Sequence, residues 1–184
     1  MTDAAPTARR DIAYRAFRLP ADAHQGVLAG VRAGGRGIEL ADPVGRLDHT
    51  DPDSRTRRYA AGSWTSPPVA AGFAVREVVP SWTADAPAGC WLRVELRGWG
   101  DDSPATGWYV LADWAADDHA FRRTSVPGQR DADARVDTDT LVVTGATVTG
   151  WQVRVTLLRP ADDADVAAPP GPPAPAGPVL RSVG

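Results

Sequence analysis

The chain has 184 residues, a formal net charge of −3 and 20 basic residues, all of them arginine. This length suits one domain that buries about two-thirds of its unfolded surface. The mildly acidic charge with dispersed arginines argues against nucleic-acid binding. No apolar run reaches the roughly 18 residues that a membrane span needs. Lys and Asn, which have AT-rich codons, are absent, which indicates a GC-rich bacterial genome.

The N-terminal segment, residues 1–10, is expected to be disordered. It ends in the pair Arg9-Arg10, but the apolar stretch of an export signal does not follow, because Asp11 and Arg15 come next. The sequence as given therefore predicts a cytoplasmic chain, or one whose export signal has been removed or was not included.

Apolar residues alternate with polar ones wherever a period is clear, which predicts β-strands. In chain order the weaker strand candidates are 11–18, 25–33, 36–40, 58–65, 73–82 and 139–148, and the clear ones are 90–99, 107–114 and 150–158. The candidate 107–114 is apolar on both faces, which predicts a strand interior to its sheet. About eight to ten short strands, separated by Gly, Pro and Asp turns, predict an all-β fold over residues 11–159: an antiparallel β-sandwich of jelly-roll type.

The segment 160–178 holds seven of the 17 prolines and is predicted to be an extended loop or linker. Residues 179–184 then form a predicted last strand. This strand either folds back onto the domain, or the sequence is the front part of a longer protein.

Five tryptophans on the clear strands fall into two groups, according to whether the strand face that carries them is apolar or charged. Trp108, Trp114 and Trp151 lie on the more apolar faces, and we expect them to fill the core. Trp91 and Trp99 share the Arg- and Glu-bearing face of the clearest strand, which makes them the candidates for exposed, ligand-binding aromatics. An interface with a neighbouring domain would explain their exposure equally well.

Two kinds of side chain are candidates for catalysis. Cys90 begins the clearest strand on its apolar face, which favours a small buried hydrophobe over a reactive thiolate paired with histidine. Glu77 and Glu95 lie on consecutive strand candidates and could face each other as the two carboxyl groups of a glycosidase. Because Arg93 and Arg97 flank Glu95, a surface ladder of ion pairs is the favoured interpretation.

The alternating acids around Asp131 and Asp133 resemble a calcium loop. An EF-hand loop needs an oxygen ligand at its fifth position and glycine at its sixth, and Arg135 and Val136 stand there instead. A calcium site of another type stays open, but a solvated turn is favoured. The three histidines lack the spacing of zinc ligands, and the sequence predicts neither a metal nor a cofactor.

Seven segments follow one another along the chain in a distinctive order. They are WTSP (64–67), SWTADAPAG (81–89), WLRVELR (91–97), GWYV (107–110), RRTSV (122–126), GQRDAD (128–133) and VRVTL (153–157). In order and rough spacing this series resembles the N-terminal β-rich region of C39-family-like peptidases from high-GC actinobacteria. The resemblance implies that a papain-like cysteine peptidase domain follows this region, that the catalytic Cys and His lie in that later domain, and that the protein is exported. Cys90 does not match the nucleophile position.

We therefore expect a non-catalytic accessory or binding module of a C39-like peptidase-family protein. It would position a substrate peptide, a cell-wall glycan or a C-terminal peptidase domain. The alternative is a stand-alone carbohydrate-binding or carbohydrate-active β-sandwich that uses Trp91, Trp99, Glu77 and Glu95.

Overall fold

The structure is a computed structural model that describes residues 11–51, 54–118, 121–161 and 177–184. Apart from a short 3-10 helix over Ala23–Gln25, every element in these ranges is a β-strand. The strands are β1 (Phe17–Arg18), β2 (Val27–Ala29), β3 (Val31–Gly34), β4 (Gly37–Leu40), β5 (Gly45–Thr50), β6 (Thr56–Thr65), β7 (Val69–Ala70), β8 (Glu77–Val78), β9 (Trp82–Asp85), β10 (Trp91–Trp99), β11 (Tyr109–Trp114), β12 (Ala134–Asp137), β13 (Thr140–Val143), β14 (Gly150–Pro160) and β15 (Val179–Val183). None of the described residues belongs to a helix with the length and apolar character that crossing a bilayer requires.

The strands form three antiparallel sheets. A seven-stranded sheet has the order β11-β10-β14-β6-β2, with β5 added to β6 and β7 added to β14. A five-stranded sheet has the order β1-β15-β4-β3, with β9 added to β15, and a three-stranded sheet has the order β12-β13-β8. The prediction of an all-β antiparallel fold is confirmed, and jelly-roll connectivity stays a prediction.

Apolar side chains from all three sheets meet in one core cluster, as expected for packed sheets. Trp64 of β6 is fully buried at its centre, where its indole N–H donates a hydrogen bond of 3.1 Å to the carbonyl of Ala23. The ring of Phe17 meets this indole edge-on, with 5.2 Å between the ring centres. The buried indole N–H of Trp64 therefore has a hydrogen-bond partner. The contact between Trp64 and Phe17 also joins β6 of one sheet to β1 of another.

The strand predicted at residues 179–184 is present as β15, and it folds back into the five-stranded sheet between β9 on one edge and β1 and β4 on the other. Leu180 of this strand is fully buried in the core. The predicted disordered segment 1–10 and residues 162–176 of the predicted linker lie outside the described residues.

The prediction that the strand at 107–114 is interior to its sheet is wrong, because β11 is the last strand on one side of the seven-stranded sheet. Beyond β11, within the described ranges, an isolated bridge joins Asp113 to Thr124. The apolar character on both faces of β11 has a different cause, a register irregularity against β10.

A β-bulge splits the tryptophans of this region between two faces. The register of the two strands shifts between Val94 and Glu95, so that β11 accommodates one additional residue, Leu111. A one-residue shift reverses the face of every following side chain. Trp114 therefore packs against the core, as expected, whereas Trp108 lies on the opposite face of the sheet, and its assignment to the core is wrong.

Candidate functional site

The face of the seven-stranded sheet that points away from the main core carries a line of charged and aromatic side chains. We call Glu95, Arg97, Trp99, Trp108 and Arg154 the arginine–tryptophan row. Three of them alternate along β10 because the side chains of a strand point to opposite faces in turn. The other two come from the neighbouring strands: Arg154 is in register with Glu95 on β14, and Trp108 directly precedes β11.

Glu95 and Arg154 form a two-point ion pair. The Nε and Nη2 atoms of Arg154 donate to the two carboxylate oxygens of Glu95, each at 2.7 Å. Glu95 is only 8% exposed, whereas Arg154 is half-buried. Because both carboxylate oxygens accept from one guanidinium, the carboxylate is held in one orientation against Arg154 rather than directed at a substrate.

The two candidate glycosidase carboxylates do not come together on neighbouring strands. Glu77 lies on β8 of the three-stranded sheet, in register with Val142, whereas Glu95 lies on β10 of the seven-stranded sheet. The alternative in which they face each other across neighbouring strands is therefore wrong. The expected ladder of ion pairs is present instead, since Arg93 also donates twice to Asp113, at 2.8 Å each.

Arg97 differs from the other arginines of this face. Its Nε donates to the amide oxygen of Gln152 at 2.7 Å, so its partner is neutral. Its guanidinium carbon lies 5.1 Å from the ring centre of Trp99 and 4.5 Å from that of Trp108. Partial burial and the positive charge of Arg154 lower the pKa of Arg97.

Trp108 carries two guanidinium groups over its ring. The guanidinium carbon of Arg154 lies 4.4 Å from the ring centre, at nearly the same distance as that of Arg97. Cation–π attraction to the indole holds both positive charges in place. The carboxylate of Glu95 pairs with Arg154 alone, so the second guanidinium over this ring, that of Arg97, adds a positive charge without a carboxylate beside it.

The expectation that Trp91 is exposed is wrong. Trp91 is fully buried in a second apolar cluster on the outward face of the sheet, where Phe121 stacks on its ring with 4.4 Å between the centres. Tyr59 meets the same ring edge-on, and His49 also contacts it. The chain beyond β11 returns over this end of the sheet and covers Trp91. Trp99, at the other end of β10, is half-buried.

Cys90 is buried, as its position on an apolar face predicts. Burial raises the pKa of its thiol to about 11, although the positive charge of Arg159 opposes the shift. At neutral pH the group is therefore a protonated thiol, which is a poor nucleophile.

Asp131 organises a turn instead of projecting into solvent as a free ligand. One carboxylate oxygen accepts the hydroxyl of Tyr109 at 2.5 Å, and the other accepts the backbone N–H groups of Asp133 and Ala134 at 2.8 and 3.0 Å. These hydrogen bonds lower the pKa of Asp131. Across the described ranges, no three or more His, Cys, Asp and Glu side chains are grouped closely enough to hold a metal ion.

A second surface feature, which the sequence does not predict, is a groove of about 910 Å³ between the extended segment 11–15 and residues 71–79. We call it the apolar groove. Three large apolar side chains on its wall are mostly exposed to solvent: Ile12 (83%), Tyr14 (77%) and Val79 (59%). They lie in segments with weak alternation, and only the fold brings the two segments together.

Comparison with known proteins gives one match. The family model described as Peptidase C39 N-terminal domain matches residues 13–168. No curated protein and no solved structure matches the chain. The matched range spans β1 to β14 and includes the whole arginine–tryptophan row together with most of the apolar groove. The chain belongs to the actinobacterial family of Peptidase C39 N-terminal domains.

Proposed function

We propose that this domain is a non-catalytic accessory module that docks onto a C39 peptidase domain through the apolar groove. The observation that carries the proposal is the exposure of Ile12, Tyr14 and Val79 along one groove. Exposed apolar side chains that cluster, instead of being scattered singly, mark interaction surfaces. Membership of a family of peptidase N-terminal domains supports a peptidase domain as the occupant.

The composition of the groove supports a protein partner. Its apolar side chains come from two separate segments and are accompanied by the exposed charges of Asp11, Arg76 and Glu77. An apolar centre with a charged rim of both signs is the usual anatomy of an interface between protein domains. The partner would bury the apolar side chains and leave the charges at the solvent boundary.

Two further observations support a non-catalytic role. The Cys90 thiol is buried and protonated at neutral pH, which leaves it without the thiolate that nucleophilic catalysis requires. Both oxygens of the Glu95 carboxylate accept from Arg154, which holds this carboxylate in an ion pair on the sheet. Cys90 and Glu95, two of the three residues that the sequence offers for catalysis, therefore have structural surroundings.

The test is calorimetric titration of this chain with a separately purified actinobacterial C39 peptidase domain. We expect a complex that Tyr14→Ser combined with Val79→Ser weakens at least tenfold, or about 1.4 kcal/mol. The matched control is Val44→Ser, because Val44 is 70% exposed but lies away from the groove. Absence of binding, or an equal loss in the control, would contradict the proposal.

The alternative, a stand-alone carbohydrate-binding sandwich, has less support. A sugar ring stacks on a free indole face, but Trp91 is buried, and a sugar would compete with one guanidinium at Trp99 and with two at Trp108. Cell-wall glycans are therefore expected to leave the tryptophan fluorescence unchanged. Quenching that disappears in Trp99→Ala would favour the carbohydrate-binding hypothesis.

A further inference from the structure

Arg97 is a half-buried cation for which the described residues provide no carboxylate partner. Each of its neighbours on the outward face has one: Arg93 pairs with Asp113 and Arg154 with Glu95. Arg97 hydrogen-bonds the neutral amide of Gln152 and stacks on two indole rings. The outward face of the sheet thus carries one partly buried guanidinium, that of Arg97, beside two ion pairs in which the arginine charge is balanced by a carboxylate.

This arrangement is suited to an incoming carboxylate. Removing a guanidinium from water is unfavourable unless hydrogen bonds and an opposite charge replace the water. The ring centres of Trp99 and Trp108 lie 5.1 and 4.5 Å from the guanidinium carbon of Arg97, and the donors of a guanidinium point along its own plane. The Nε donor is used by Gln152, and a carboxylate that approaches in the plane would accept from the terminal nitrogens.

We propose that Arg97, held between Trp99 and Trp108, is a binding site for a carboxylate of an acidic polypeptide segment. The two indole rings favour the carboxylate of a polypeptide over that of an acidic sugar. A uronic acid would also stack its ring on an indole, where it would compete with the Arg97 guanidinium over Trp99 and with those of Arg97 and Arg154 over Trp108. The side chain of Asp or Glu needs only the terminal nitrogens of Arg97, and the hydrogen bond of Arg97 to Gln152 uses Nε instead.

The site is independent of the apolar groove. The groove is lined by residues of segment 11–15, residues 71–79, Trp151 and Gly184, and the arginine–tryptophan row contributes none of its lining. A failure of peptidase docking at the groove would therefore leave the carboxylate site intact. The two proposals are tested with different variants.

The experiment is a fluorescence titration of the full chain with poly-L-glutamate, since Trp99 and Trp108 flank the site and report on it. We expect saturable quenching that weakens with salt, because the chain itself is acidic and attracts polyanions only at local positive sites. Arg97→Gln should weaken binding by at least about tenfold. The matched control is Arg36→Gln, which removes the same charge from an exposed position in the β3–β4 turn.

A second variant covers the case in which Arg97→Gln fails to fold, which thermal unfolding would reveal. Arg97→Lys keeps the charge but loses the planar donor pair, so its affinity for poly-L-glutamate should fall below that of the unmodified chain. An absence of quenching, or an equal loss in the Arg36 control, would overturn the proposal. Polygalacturonate, an acidic polysaccharide, is the second probe, and tighter Arg97-dependent binding of this polymer than of poly-L-glutamate would overturn the assignment to a polypeptide.

Discussion

Arg154 and Glu95 stand opposite each other on neighbouring strands, and the guanidinium donates to both carboxylate oxygens at 2.7 Å. Glu95 is one of the residues that the sequence offers as candidates for substrate contact. In the folded sheet its carboxylate instead cancels the charge of a cation that also lies over Trp108. Glu95 thereby offsets the charge of Arg154 but not that of Arg97, whose hydrogen-bond partner is neutral.

Glu95→Gln is expected to lower the free energy of unfolding by about 2 kcal/mol. Loss of one partner of a buried pair costs more than this, but Arg154 is about one-third exposed and water partly replaces the lost carboxylate. Urea unfolding measures the change. Asp48→Asn is the control, because the Asp48–Arg58 pair is more than half exposed and should contribute less than about 1 kcal/mol. Equal losses in the two variants would contradict the structural role of Glu95.

The two tryptophans at the ends of β10 should respond very differently to truncation. Trp91 is fully buried and stacked on Phe121, so Trp91→Ala should cost about 3–5 kcal/mol in the free energy of unfolding. Trp99 is half-buried and makes a cation–π contact with Arg97, so Trp99→Ala should cost about 1 kcal/mol. Thermal and urea unfolding of the two variants measure the difference, and similar losses would contradict the burial of Trp91 under Phe121.

The sequence predicts best the strands that are buried on one face. The candidates 90–99 and 150–158 correspond to Trp91–Trp99 and Gly150–Pro160, because each packs one apolar face against the core. Such strands have strict alternation, and alternation is the signal that sequence analysis detects. The predicted last strand is present as β15 without such strict alternation, since its buried residues are Val179, Leu180 and Val183.

Other elements have no signal of this kind. The strand Gly45–Thr50 is polar and mostly exposed, so its membership of the sheet depends on pairing with β6 rather than on its own side chains. The bulge at Leu111 inserts a single residue without a turn-forming sequence, and this insertion reverses the predicted face of Trp108. The pairing of Arg97 with a neutral amide depends on a residue 55 positions away in sequence, and no local pattern encodes it.

Gly37→Ala is expected to cost at least about 2 kcal/mol in the free energy of unfolding. Gly37 has a φ of 151°, and a Cβ at this position would overlap the backbone carbonyl oxygen of Leu180 on β15. The variant would therefore separate β4 from β15. Gly35→Ala is the control, because no atom lies within 4 Å of a Cβ built there, and its effect should stay within about 0.5 kcal/mol. Chemical denaturation compares the two, and a tolerated Gly37→Ala would contradict the close approach of these strands.

The Cys90 thiol should react slowly with disulfide reagents in the folded protein. Burial raises its pKa to about 11, so little thiolate is present near pH 8, and the side chain is also inaccessible. The measurement is the rate of thiol modification of the native chain and of the chain in denaturing urea. We expect fast modification in urea alone. Rapid modification of the native chain at neutral pH would indicate a reactive nucleophile and contradict the non-catalytic role.

The turn at Asp131 should make stability depend on pH in acid. Its hydrogen bonds with Tyr109, Ala134 and Asp133 lower the pKa of the carboxyl below its unfolded value of about 3.9, so the folded state prefers the ionised form. The stabilisation is complete above the unfolded pKa and is lost as the pH falls through the folded pKa. Asp131→Asn keeps the shape but removes the charge, so it should be less stable than the unmodified chain at pH 7, and the difference should shrink near pH 3. Urea unfolding at the two pH values measures this difference, and one that stays constant would show that the carboxylate charge contributes nothing to the turn.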